Sequence, residues 1–122
     1  MIDKGRRLIV SKAWDLLTFD DVKAHQTQLL SDPDFDPEFN ELLDLSAVTA
    51  IDMSADEERI LAGRRVFSSS SRRAFVASRP ANFGMARLFE AYHQMSQAPS
   101  QIRVFYDLAS ALKWLGLDSP RL

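Results

Sequence analysis

No cysteine occurs among the 122 residues, which removes disulfides, thiolate metal sites and a cysteine nucleophile together. The four glycines are scattered, so neither a Gly-x-Ser-x-Gly elbow nor a phosphate-cradling Walker loop is present. Only two histidines, His25 and His93, are available, and they form no His-x-x-x-His pair, so neither a metal nor a cofactor is expected. Ser54 and Asp52 lie close in sequence but have no histidine base at hand, which argues against a hydrolytic triad and for a non-enzymatic protein. Met1-Ile2-Asp3-Lys4 lacks the apolar core of a signal peptide, and no apolar run is long enough to span a membrane. A cytoplasmic chain without a membrane span follows as the expectation. A net charge of −2 gives no general drive toward nucleic acid.

The length suits one domain, residues 1–122, with a core that needs no covalent staples. Each half of the chain is poor in charge of one sign. Residues 1–61 hold 6 Lys and Arg against 14 Asp and Glu, whereas residues 62–122 hold 9 against 3. The acids gather at Asp32, Asp34, Asp36, Glu38 and Glu41, and the arginines at Arg64, Arg65, Arg72, Arg73, Arg79 and Arg87. If the halves occupied different faces, the surface would steer a charged partner or a second copy; a wound fold instead interleaves them.

Apolar periodicity gives the elements. Arg6 to Val10 predicts a first strand, and Ala13-Trp14-Asp15-Leu16 either continues it or turns back. Thr18 caps a first helix whose face is Phe19, Val22, Gln26, Leu29 and Leu30. Ser31 to Pro37 is a loop with two prolines. Leu42, Leu43 and Leu45 read as a strand buried on both faces, followed by a short connection, Ser46 to Asp52, anchored by Val48 and Ile51. Ser54 caps a helix over about 55–67, and with Glu57 it forms a capping box. The serine run Ser68 to Ser71 reads as a solvated linker. Ala74 to Ala77 is a short apolar strand, Asn82 caps a third helix with Met85, Leu88, Phe89, Tyr92 and Met95 on one stripe, and Pro99 ends it. Ile102 to Tyr106 is the last strand, and Gly116 closes a final helix carrying Leu108, Ala111, Leu112 and Leu115. This alternation predicts an α/β fold: a single layered domain with a central sheet of four to five mostly parallel strands and about four helices.

The stretch Glu41 to Arg59 carries a further likeness. Leu43-Asp44-Leu45-Ser46 followed by Ile51-Asp52-Met53-Ser54 resembles the STAS family, the sulfate-transporter and anti-sigma-factor-antagonist domain. In that family a buried strand ending in aspartate leads through a short hydrophobic connection to an Asp-Ser-Ser/Thr-Gly motif at a helix start. Here Met53 stands for the first serine and Ala55 for the glycine. Asn82 to Phe89 and Ala111 to Gly116 are similar to the SpoIIAA-like branch. The resemblance implies a STAS/SpoIIAA-like fold and phosphorylation at Ser54. It also implies a regulatory module that docks on a protein partner, a regulator or kinase-like protein, through Ser46 to Arg64.

In such a sheet, partners and ligands meet the carboxyl ends of the strands. Those ends collect Asp44, Ser46, Asp52, Met53 and Ser54 on one side, Ser78, Arg79 and Asn82 on another, and Asp107 on the last. Helix N-termini expected at Ala55, Phe83 and Leu108 add anion-favouring N–H groups, although Ser54, Asn82 and Asp107 all make ordinary caps as well. Two functions follow. One is the protein-interaction module. The other is a small-molecule carrier for a lipid or nucleotide, with an apolar pocket lined by Phe75, Phe83, Tyr92, Phe105 and Trp114. A homodimer is compatible with either, helped by an exposed Trp14.

Overall fold

Leu42 and Leu43 point to opposite faces of one strand, and both faces are covered. The computed structural model describes residues 1–117. In it this strand, β3 (Asn40–Asp52), is the middle of a five-stranded sheet. The other strands are β1 (Ile2–Asp3), β2 (Leu8–Thr18), β4 (Arg72–Val76) and β5 (Gln101–Phe105). Their order is β1-β2-β3-β4-β5; β1 runs antiparallel to β2 and every other pair is parallel. Four helices complete the α/β fold: α1 (Phe19–Ser31), α2 (Ala55–Gly63), α3 (Pro80–Met95) and α4 (Leu108–Trp114).

Each step from β2 to β5 moves one strand in the same direction, so right-handed crossovers place the connecting helices on one face. Accordingly Phe19 and Val22 of α1, Leu61 and Ala62 of α2, and Ala86 and Phe89 of α3 share a cluster with Leu43 and Phe75. The opposite face carries Leu42, Ala74 and Val76, which pack under Ala111 and Leu112 of α4 and under Leu115. Alternate residues of one strand therefore feed two separate cores, as period-two geometry requires.

One open element bound is decided here and two expected ones change. Segment 6–17 is not a hairpin: β2 continues unbroken to Thr18, and its antiparallel partner is the shorter β1 before it. Ser46 to Asp52 is not a loop but the second half of β3, paired in parallel with Trp14 to Thr18 of β2. Two register shifts, between Lys12 and Trp14 and between Asp15 and Leu16, break the hydrophobic alternation that would have marked it as strand. Asp15 takes a positive φ of 59° there, a conformation that aspartate tolerates better than most residues. Val48, read as a loop anchor, is nevertheless fully buried, against Leu45 and Ala77.

The helix α2 stops at Gly63, four residues early, because Arg64 turns extended and sends Val66 and Phe67 into a core with Ile9, Leu29 and Phe39. The serine run is not wholly solvated either. Ser71 is completely buried, and its hydroxyl donates to the Phe39 carbonyl at 2.6 Å, fixing the approach to β4.

Candidate functional site

Ser54 lies where β3 ends and α2 begins. Its Oγ accepts from the Glu57 N–H at 3.1 Å, and the Glu57 carboxylate accepts from the Ser54 N–H at 2.9 Å. Both halves of the capping box are made, and Ser54 is exposed. Beside it Asp52 is exposed, whereas Met53 is half-buried against the core of Leu61, Phe75 and Phe89. Asp44 and Ser46 form a second, separate local unit at the first irregularity of β3. There Asp44 Oδ1 accepts from the Ser46 N–H at 2.9 Å and from its hydroxyl at 2.6 Å.

The third expected group divides. Ser78 and Arg79 are exposed, but Asn82 is buried and caps nothing. α3 starts at Pro80, whose fixed φ suits the first helical position, and its N-cap Arg79 makes no side-chain cap bond. The expected helix start at Phe83 is thus corrected, and Asn82 lies inside the helix. Its Nδ2 donates instead to the Val48 carbonyl at 2.8 Å, tying α3 to the extended part of β3. Asp107 does cap α4, accepting from the Ser110 N–H and hydroxyl, and those bonds hold its carboxyl below the usual range. The five aromatics expected around one pocket do not share a space. Phe75, Phe83 and Tyr92 lie on the α1–α3 face, and Phe105 and Trp114 lie on the α4 face.

The chemistry that the structure does assemble lies elsewhere, under α1 and α2. Glu41 of β3 and Arg73 of β4 are direct cross-strand neighbours, both buried, with Arg73 Nε donating to Glu41 Oε1 at 3.1 Å. Burial pushes the Glu41 carboxyl up, but the Arg73 charge and His25 outweigh it and hold it below its ordinary range. His25 of α1 brings Nε2 to 3.6 Å from Glu41 Oε2 and to 3.2 Å from Ser11 Oγ. Serine, histidine and carboxylate therefore meet, but at a single ring nitrogen. A proton relay needs the acid on one nitrogen and the nucleophile on the other, and this geometry does not provide that.

Next to this cluster, Glu58 of α2 is 1% exposed and its Oε2 has no hydrogen-bond partner. Burial pushes its carboxyl up to about 7. A small space of about 50 Å³ is lined by Glu58, Glu41, Arg73, His25, Met53 and Phe89 among others. A groove of about 410 Å³ lies between the outer half of β2 and α1, walled by Trp14, Leu16, Leu17, Val22 and Leu45, with His25 at its floor. Leu17, Val22, His25, Leu43 and Leu45 border both spaces.

Comparison of the chain with protein-family models, with curated proteins and with solved structures finds no match in any of the three.

Sequence reasoning passed over Glu41, Arg73, Glu58 and His25 as site residues. Glu41 and Arg73 were counted as surface charges, and only strand register makes them a pair. The signal for Glu58 was its place on α2, one turn after Ser54 on the same side as Leu61, which turns it inward. Glu90 and His93 have a Glu-x-x-His spacing, yet both ring nitrogens of His93 face backbone carbonyls, of Ala62 at 3.0 Å and Ser100 at 2.7 Å. That histidine joins α2, α3 and β5, and it offers no free nitrogen to a metal.

Proposed function

We propose that the chain is a non-enzymatic regulatory module of the STAS type, related to the SpoIIAA-like branch, that docks on a protein partner through the carboxyl end of its sheet. One observation carries this reading. β1 pairs with Leu8 and Ile9 of β2 and Met1 exchanges backbone bonds with Val10, so the outer edge of β2 from Lys12 to Leu17 has no strand partner among the described residues, and Trp14 and Leu16 on it are 65% and 51% exposed. Unpaired edges with exposed large apolar side chains favour strand addition or apolar docking, and tryptophan is enriched among residues that dominate binding energy.

This edge is continuous with the segment the resemblance implicates, because Trp14 to Thr18 pair with Ala47 to Asp52. Exposed Thr49, Ala50, Arg59 and Ile60 extend the surface along β3 and α2. Asp44, Ser46, Asp52 and Ser54 rim it. The switch belongs to the same proposal: a phosphate on exposed Ser54 would replace the cap acceptor, expel the Glu57 carboxylate by like charge and reshape the first turn of α2.

The test is a photo-crosslinking amino acid placed at position 16, and as control at position 30 on the far end of α1, in the cell that naturally makes the protein. A single protein crosslinked from position 16, lost in a Trp14→Ser background and absent from position 30, supports the reading. Equal crosslinking from both positions, or none from position 16, would overturn it.

A further inference from the structure

The smaller space that adjoins the groove beside β2 is lined by a carboxylate whose needs the protein does not meet. We infer that these adjoining spaces together bind a small primary amine carried on an apolar chain or ring, with its nitrogen at Glu58 and its apolar body between Trp14, Leu16, Leu17 and Val22. The groove shares Trp14 and Leu16 with the docking surface, but this inference turns on Glu58, which the docking reading does not use.

Around Glu58 the other polar side chains already have partners. Gln26 is spent, its Nε2 reaching the Leu61 carbonyl at 3.5 Å and its Oε1 accepting from Arg64 at 2.9 Å. Arg73 donates through Nε to Glu41, and its guanidinium, lying over the Phe67 and Phe75 rings, makes no bond to Glu58 Oε2. The Nε2 of His25 is shared between Ser11 and Glu41. Glu58 Oε2 alone has nothing, and a buried polar atom without a partner destabilises the fold. What is missing is a hydrogen-bond donor, and a cationic donor answers both the acceptor and the charge that burial penalises. A carboxylate ligand would bring more acceptors to a place already holding two acids. A hydrocarbon would leave Oε2 as it is.

The walls set the rest of the ligand. A groove of about 410 Å³ falls within the size of small-molecule sites, and its lining is mostly apolar, with Ser11, Lys12, Asp21 and His25 as its polar members. Of the five residues common to both spaces, Leu17, Val22, Leu43 and Leu45 are apolar and only His25 is polar, which suits a short alkyl or aromatic body.

Calorimetric titration of the wild-type chain with n-octylamine, octanoate and 1-octanol tests this directly at a pH above 7. The expected result is saturable octylamine binding at least about tenfold tighter than either of the others, a preference of about 1.4 kcal/mol. In Glu58→Gln that preference should fall to less than about threefold while octanol binding is retained. Octanoate or octanol binding as tightly as octylamine would overturn the amine assignment, and so would an unchanged preference in Glu58→Gln. Absence of saturable octylamine binding would also overturn it, leaving a water as the occupant beside Glu58.

Discussion

Glu58→Gln should stabilise the protein at high pH and leave it unchanged at low pH. In the folded chain the carboxyl is pushed from its ordinary 4.5 to about 7 by burial alone. Below pH 4.5 it carries its proton whether folded or unfolded, and the buried group contributes no charge penalty. Between 4.5 and 7 the unfolded chain releases the proton and the folded chain keeps it, so stability falls as pH rises. Above 7 both states are ionised and the penalty is constant. At about 1.36 kcal/mol per pH unit the displacement corresponds to about 3 kcal/mol, and solvation from the adjoining space reduces this to about 2 kcal/mol. Urea unfolding of wild type and Glu58→Gln at intervals from pH 4 to 9 isolates the term, because every other titrating group cancels in the difference. The variant should match wild type at the acid end and exceed it by about 2 kcal/mol above neutrality, or roughly 6–10 °C in Tm. A difference that does not vary with pH, or a wild type that gains on the variant as pH rises, would refute the burial argument.

Arg73→Ala strips the partner from a buried Glu41 and should cost about 3–5 kcal/mol, whereas the joint replacement Glu41→Leu with Arg73→Met should recover most of that, both read from urea midpoints. Because the folded Glu41 carboxyl is held below its ordinary 4.5, wild type should also lose stability as pH falls below that value, and Glu41→Leu/Arg73→Met should lose less. Ser54→Ala should cost about 1 kcal/mol through the lost cap, and an unchanged Tm would remove the capping role. Asn82→Ala leaves the Val48 carbonyl without its donor and should cost about 1–3 kcal/mol, with faster amide exchange in the second half of β3 as the local sign.

The legible parts of the chain were those where one physical pattern acted alone. Leu42-Leu43 announced a strand covered on both faces, and Thr18, Ser54 and Asp107 announced helix starts through side chains that accept a backbone N–H of the first turn. Where two patterns competed, the reading failed. Two irregularities in β3 hid a strand behind a broken alternation. Pro80 and Asn82 both signal helix starts, and proline prevailed because Asn82 was needed for the Val48 carbonyl. The polar cluster under α1 was illegible for another reason: Glu41 and Arg73 are 32 residues apart, and nothing but strand register brings them together. Glu58 lies in the first turn of α2, where acids are ordinary, and only the docking of α2 on the sheet shows it to be buried.

The docking claim is tested most directly by native mass spectrometry of the protein isolated gently from its own cells, compared with Trp14→Asp isolated in the same way. The account predicts a stoichiometric complex with one other protein for the wild type and the free chain for the variant, with circular dichroism unchanged. Wild type emerging only as the free chain, or a complex that survives Trp14→Asp intact, would contradict it.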